Sequence, residues 1–106
     1  MKKKLRARRT KENIVWSVST DTGYSLSEVE AIINSVLDNI IFEVSHDREV
    51  RFAGFGTFEP KERAARTGRN PHTKEPVPIP ARVIPSFEAG ERFKNAVVRE
   101  LPTKKK

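Results

Sequence analysis

The sequence predicts an α+β fold in which a helical body carries a projecting two-stranded β ribbon. Val29, Ile32, Ile33, Val36, Leu37, Ile40, Ile41 and Val44 recur with a helical period over four turns. Val50 and Phe52 alternate with charged neighbours, the two-residue period of a half-buried strand. Pro76, Pro78 and Pro80 stand at every second position with Val77, Ile79 and Ala81 between them, a parity that suits a strand. With 106 residues the chain has the length of one domain.

Residues 1–9 are basic and aperiodic and are expected to form a disordered tail. Thr10 is placed to cap a short helix ending near Thr20, with Ile14, Val15 and Val18 on one side, Trp16 off that stripe and Gly23 as the stop. Ser25 with Glu28, and Ser27 with Glu30, both have capping-box spacing at the start of the long helix. The stripe from Val29 to Val44 is two residues wide and asks for more packing partners than one chain of this length provides. A dimer that folds poorly as a monomer is therefore expected. His46-Asp47-Arg48 is a turn, and Gly54-Phe55-Gly56 is a tight reversal with an aromatic anchor. Thr57 to Arg66 is predicted as a strand, Thr67 to Thr73 as a tip and Lys74 to Ile84 as the returning strand, broken by Pro85. Ser86 to Leu101 is predicted as a final helix, regular from Gly90, with Phe93, Val97 and Leu101 on one face. Pro102 would end it, ahead of a second basic tail at 102–106.

In mid-sheet three prolines would delete three ladder bonds. In a ribbon of two strands every second N–H points away from the partner, so three prolines of one parity lose nothing and also block a third strand. The alternative is a proline-rich loop of polyproline character. A bare hairpin is marginal in water and takes its order from what it grips. Lys61, Arg63, Arg66, Arg69, Lys74 and Arg82 are spread along it. The net charge is +7, and it is segregated: residues 1–12 carry +6, 13–50 carry −6, 60–82 carry +4 and 83–106 carry +3. Segregation of this kind gives a positive side that attracts a polyanion. Such a ribbon is dimensioned for a nucleic-acid groove. At its tip, Asn70-Pro71 is either ordinary turn chemistry or places an apolar, rigid wedge at a base step.

Other classes find little support. There is no cysteine, so disulfide frameworks and thiolate metal sites are excluded. The longest apolar run, near Ile40-Ile41-Phe42, is broken by Glu43, far short of a membrane span, and no secretory signal is expected after the basic start. His46 and His72 have no ligand cluster near them, and no phosphate-loop, nucleophile-elbow or zinc-protease motif occurs. Neither catalysis nor a cofactor, metal or small-molecule substrate is expected. A single-strand or RNA binder needs exposed stacking aromatics, and residues 59–86 contain none.

Gly54-Phe55-Gly56-Thr57-Phe58, Arg63 and the run Arg66-Thr67-Gly68-Arg69-Asn70-Pro71-His72-Thr73 resemble the signature of the bacterial HU/integration host factor family. The resemblance runs without gaps from about Thr10 to Val98. It implies an α+β intertwined homodimer with a helical base, a three-stranded antiparallel sheet per chain and a protruding two-stranded β-arm at about 60–82, within a DNA-binding domain spanning 10–101. Carried over by position, Pro71 is the intercalating proline. Arg63, Arg66, Arg69, Asn70 and Lys74 are groove or backbone contacts, and Lys11 and Lys94 are flank contacts. Lys61, Thr67, Gly68, Thr73 and Arg82 complete the expected DNA-binding set. The chain departs from the family pattern in Lys74, where a glycine is usual, in the extra prolines of the returning arm and in its basic extensions. The implied function is architectural: binding the minor groove of double-stranded DNA and bending it with little sequence specificity, in the cytoplasm of a bacterium, nucleoid-associated, or as a phage-encoded protein. A heterodimer, a site-preferring homologue, a packaging protein and an RNA-binding module are the alternatives.

Overall fold

The computed structural model describes residues 6–102. Residues 1–5 and 103–106, which hold most of both expected basic tails, lie outside the described residues. The chain divides into two compact units, Met1–Asn39 and Ile40–Lys106.

The first unit is helical. Helix α1 spans Lys11–Thr22. Asn13 turns its side-chain oxygen back to accept from the Thr10 N–H at 3.0 Å, closing the first turn. The helix runs two residues past the expected end at Thr20. There the Thr20 and Thr22 hydroxyls donate to the carbonyls of Trp16 and Val18, at 3.0 and 2.7 Å, bonds made within the helical conformation. Gly23 then takes φ 84° and donates its N–H to Ser19 O at 2.8 Å, the left-handed stop. Helix α2 spans Leu26–Ser45. Of the two possible capping boxes, Ser25 with Glu28 forms. The Ser25 N–H donates to Glu28 Oε1 at 2.9 Å and the Glu28 N–H to Ser25 Oγ at 3.1 Å. The Ser25 N–H, and less strongly the Ser25 hydroxyl, stabilise the charged carboxylate and hold Glu28 below its ordinary pKa. The contribution of this cap to stability is thus fully present above the ordinary carboxylate range and is lost as pH falls through the lowered value. Val15 on α1 and Val29 on α2 are the buried apolar side chains among the described residues, whereas Trp16 is 63% exposed.

The second unit contains the end of α2, the sheet and a short helix. His46 Nδ1 lies 2.8 Å from Phe42 O, and since a carbonyl only accepts, that nitrogen carries the proton and caps the last turn. Asp47 follows at φ 62° and turns the chain into the sheet. Strands β1 (Val50–Phe52), β2 (Gly56–Arg63) and β5 (Arg82–Ala89) form an antiparallel sheet in the order β1-β2-β5. Strands β3 (Arg66–Arg69) and β4 (Pro76–Ile79) form a separate two-stranded sheet. Phe52, Phe55, Phe58, Phe87 and Phe93 make one aromatic cluster, with ring centroids 4.7 Å apart for Phe58 and Phe87 and 5.3 Å for Phe55 and Phe93.

Pro85 does not break the returning strand, contrary to expectation. It pairs with Pro60 inside the β2–β5 ladder. The Gly90 N–H donates to Phe55 O at 2.7 Å, which fixes the hydrogen-bonded pairs at odd residues of β2, and Pro60 and Pro85 then face each other where the ladder has no bond. Pro60 directs its missing donor towards the β1 side, and β1 pairs no further along β2 than Phe58. The predicted helix from Ser86 is accordingly strand to Ala89. Helix α3 spans only Glu91–Val97, not to Leu101, so Pro102 does not end it. Val97, Val98 and Leu101 stay exposed, and a helix this short persists only where it buries a face.

A Cβ on Gly56 would stand 2.5 Å from the Phe87 ring and 2.8 Å from Glu88 O, whereas one on Gly23 meets nothing within 4 Å. Gly56→Ala is expected to cost about 3 kcal/mol through overpacking, and Gly23→Ala about 1 kcal/mol through its left-handed backbone alone. Urea unfolding of both variants checks this, and a Gly56→Ala variant more stable than Gly23→Ala would contradict it.

Candidate nucleic-acid interface

The two ladders of the second unit belong to one hairpin in constant register. Arg63 pairs with Arg82, and after a gap of two residues on each strand Arg66 pairs with Ile79. The gap, Ala64-Ala65 facing Pro80-Ala81, has a physical cause. In β2–β5 the hydrogen-bonded pairs fall at odd residues of the outgoing strand. In β3–β4 the Asn70 N–H donates to Glu75 O at 2.9 Å, so they fall at even ones. Continuing the first phase would require an N–H from Pro80, Pro78 and Pro76. The ladder therefore stops and restarts one residue out of phase, leaving Pro76 and Pro78 at non-hydrogen-bonded positions as their shared parity predicts. The polyproline alternative gives way to a strand at Pro76–Ile79.

This phase change sorts the side chains. For L-residues, the face on which a side chain stands is tied to whether its backbone groups point into or out of the ribbon. Lys61, Arg63 and Arg82 occupy hydrogen-bonded pairs in the first ladder and Arg66 in the second, so all four share one face of the ribbon. Thr67 and Arg69 stand on the other face with Pro76 and Pro78. Phe58, Pro60, Pro85 and Phe87 hold the opposite face of the first ladder. Arg51, opposite Thr57 on β1, joins the charged face as well. Sequence reasoning passed over it because residues 51–59 carry no net charge; its alternation between Val50 and Phe52 was the available signal.

Arg63 and Arg82 are direct cross-strand neighbours, and like charges in that relation are destabilising. Among the described residues the only ion pairs are Lys11 with Glu30 and Arg48 with Glu43, so the arm's cations have no acidic partner. Gly68 has a packing reason: a Cβ there would stand 2.7 Å from Ile79 Cδ1, which lies across β3.

The tip, Asn70–Glu75, is shorter than the predicted Thr67–Thr73 at its start, because Thr67 to Arg69 are ladder residues. Asn70 Oδ1 accepts from the N–H of His72 at 2.8 Å and of Thr73 at 3.3 Å, and Thr73 Oγ1 accepts from the Glu75 N–H at 3.3 Å. Arg69 Nη1 donates to Lys74 O at 2.8 Å, and the Lys74 N–H donates to Asn70 O at 2.8 Å. Pro71 is exposed at the end of this bonded frame. The two flank residues lie elsewhere. Lys11 Nζ donates to Asn34 Oδ1 at 2.8 Å and stands 3.6 Å from Glu30 Oε2, and Lys94 is exposed on α3. Among the described residues no cluster of His, Asp and Glu is placed to hold a metal, and no described helix is long and apolar enough to cross a membrane.

A small α+β protein presenting a basic, proline-edged β-arm is the class that this geometry defines. The chain belongs to the bacterial DNA-binding protein family, whose model matches residues 9–98. It is 37% identical to the DNA-binding protein HU of Clostridium pasteurianum over 87 residues, 82% of this chain and 96% of that protein. It is 39% identical to the HU protein of Lactococcus lactis subsp. lactis over the same length, 82% of this chain and 96% of that one. Its structure is similar to that of Anabaena HU in a cocrystal with DNA, at a TM-score of 0.82 and 37% identity, covering 87% of this chain and all of that one.

Lys74 adopts φ 67°, a left-handed conformation that costs a non-glycine residue about 1 kcal/mol. Lys74→Gly is expected to tighten the tip, slowing exchange of the Asn70 amide by up to about fivefold, the equivalent of that cost. Faster exchange in the variant would show that the lysine conformation is not strained.

Proposed function

We propose that this chain is an architectural DNA-binding protein that grips double-stranded DNA with its β-arm and bends it. The observation that carries the reading is the arm itself, a ribbon whose facing Arg63 and Arg82, with Lys61 and Arg66 on the same face, have no acidic partner among the described residues. A duplex supplies that anion at every phosphate. The relatives named for DNA binding and the Anabaena relative crystallised with DNA support the same partner. The role is binding and deformation rather than catalysis, in a bacterial nucleoid or its phage counterpart. The proposed DNA contacts are Lys61, Arg63, Arg66, Thr67, Gly68, Arg69, Asn70, Pro71, Thr73, Lys74, Arg82 and Lys94 in the second unit, with Arg51 added, and separately Lys11 in the first.

The same reading takes the protein as a homodimer. Ile32, Val36, Leu37, Ile41 and Phe42 along α2 are all about half exposed or more, Ile41 to 66%, and a second copy is the surface that a two-residue-wide apolar stripe needs. Specificity is low, because cations on phosphates carry no sequence information and minor-groove edges offer a degenerate code. Pro71 acts as the wedge: rigid, exposed and without an N–H, it enters a base step while the arginines hold the backbone.

Three outcomes are expected. If the bound protein neutralises roughly eight phosphates, log affinity falls against log salt with a slope near −7, and a slope shallower than about −2 would remove the basic arm as the contact surface. Pro71→Ala keeps every charge, so it lowers the bend, seen as energy transfer between dyes at the ends of a short duplex, while retaining most affinity for linear DNA. An unchanged bend at saturation would end the wedge reading. The melting temperature rises with protein concentration, as for a dimer whose monomer is poorly folded. A concentration-independent melt with a monomer mass in solution would rule that out.

A further inference from the structure

The two long edges of the distal arm differ in a property that side-chain charge does not reveal. On the returning strand from Lys74 to Pro80 every backbone N–H is spent or missing. The Lys74 N–H goes to Asn70 O and the Glu75 N–H to Thr73 Oγ1. Val77 and Ile79 sit at hydrogen-bonded positions of the ladder, and Pro76, Pro78 and Pro80 have no N–H. On the outgoing strand, Arg66 and Gly68 occupy hydrogen-bonded positions and Asn70 donates to Glu75 O. Thr67 and Arg69 occupy the intervening positions, which direct both N–H and C=O out of the ribbon, and neither N–H has a partner among the described residues. The β3 edge therefore offers two amide donors, about 7 Å apart at strand spacing. The β4 edge offers carbonyl oxygens alone.

A ribbon lying along a groove turns its edges towards the groove walls, and those walls are lined by phosphodiester oxygens, which only accept. We infer that the arm is seated with its β3 edge against one phosphodiester backbone, to which the Thr67 and Arg69 amides donate, and that Pro76 and Pro78 are positioning residues which leave the β4 edge nothing to offer that wall. Pro71, at the hairpin end, then approaches the base stack from a fixed side. The inference rests on the duplex-binding reading above and adds to it which edge of the arm touches the backbone.

The test uses the full chain, isotope-labelled, with and without a saturating 20-base-pair duplex. In the free protein the Thr67 and Arg69 amides exchange fast and those of Gly68 and Val77 slowly. On binding, Thr67 and Arg69 are expected to become protected by about tenfold or more, as two new hydrogen bonds require. Thr67→Pro removes one outward donor without touching the ladder, and the chain already accommodates facing prolines at such a position in Pro60 and Pro85. This variant is expected to bind about five- to tenfold more weakly, and Thr67→Val, which loses the hydroxyl but keeps the N–H, to lose measurably less affinity than Thr67→Pro; equal losses in the two variants would place the contact on the side chain and overturn the inference. Retained slow exchange at Gly68 and Val77 shows that Thr67→Pro is folded. Saturated duplex with Thr67 and Arg69 still exchanging fast overturns this inference and leaves the function standing. Failure of the native chain to bind duplex overturns both.

Discussion

The missing amide hydrogen of proline is the constraint on which the β structure of this chain depends. Five prolines line the ribbon, and each forbids a hydrogen bond on one side of its strand. Pro60 and Pro85, facing each other, set the phase of the first ladder and point their empty positions outwards. Pro76 and Pro78 demand the opposite phase in the second. The two demands cannot be met by one uninterrupted ladder, so the ribbon breaks where they meet, at Ala64-Ala65 and Pro80-Ala81. The extent of β1, the bounds of the arm and the face on which each arginine stands all follow from where donors are absent.

Charge is arranged upon that frame. Because the phase changes by one residue, Arg66 stands on the face of Arg63 and Arg82, although an unbroken strand would set residues three apart on opposite faces. The aromatic cluster fixes the base of the ribbon from the other side, through Phe58 and Phe87. The tip is held by a different means, a set of short bonds converging on the side chain and carbonyl of Asn70, so that Pro71 is presented on an ordered loop despite its exposure.

Much of this was legible in the residues. The Gly23 stop and the period from Val29 to Val44 appear as written. Of the two boxes that the spacing offered, Ser25–Glu28 forms, and the shared parity puts Pro76 and Pro78 in a strand, whereas Pro80 falls in the gap between the ladders. Pro85 reads as a break in the sequence but is none in the structure, because a proline breaks a strand only if its N–H would have pointed at a neighbour. That depends on the partner residue, here Pro60, twenty-five positions away. The excess length given to the last helix had a related origin: Phe93, Val97 and Leu101 have helical spacing, but spacing does not say whether there is a surface for Leu101 to bury. Within the arm the charged residues were plain from composition, whereas their division between two faces required the ladder phase. Arg51 is masked in composition by Glu59, which balances it in a segment of zero net charge.

The facing arginines have a consequence for how ionic strength acts on the molecule. In the unliganded ribbon, dissolved salt screens the repulsion between Arg63 and Arg82 and so relaxes a strained pair. In the complex, the same ions compete for the phosphates that would otherwise do that work. Salt thus steadies the empty arm and loosens the occupied one. The pair behaves as a loaded spring whose release is part of the driving force for gripping a polyanion, and a dilute electrolyte keeps it cocked.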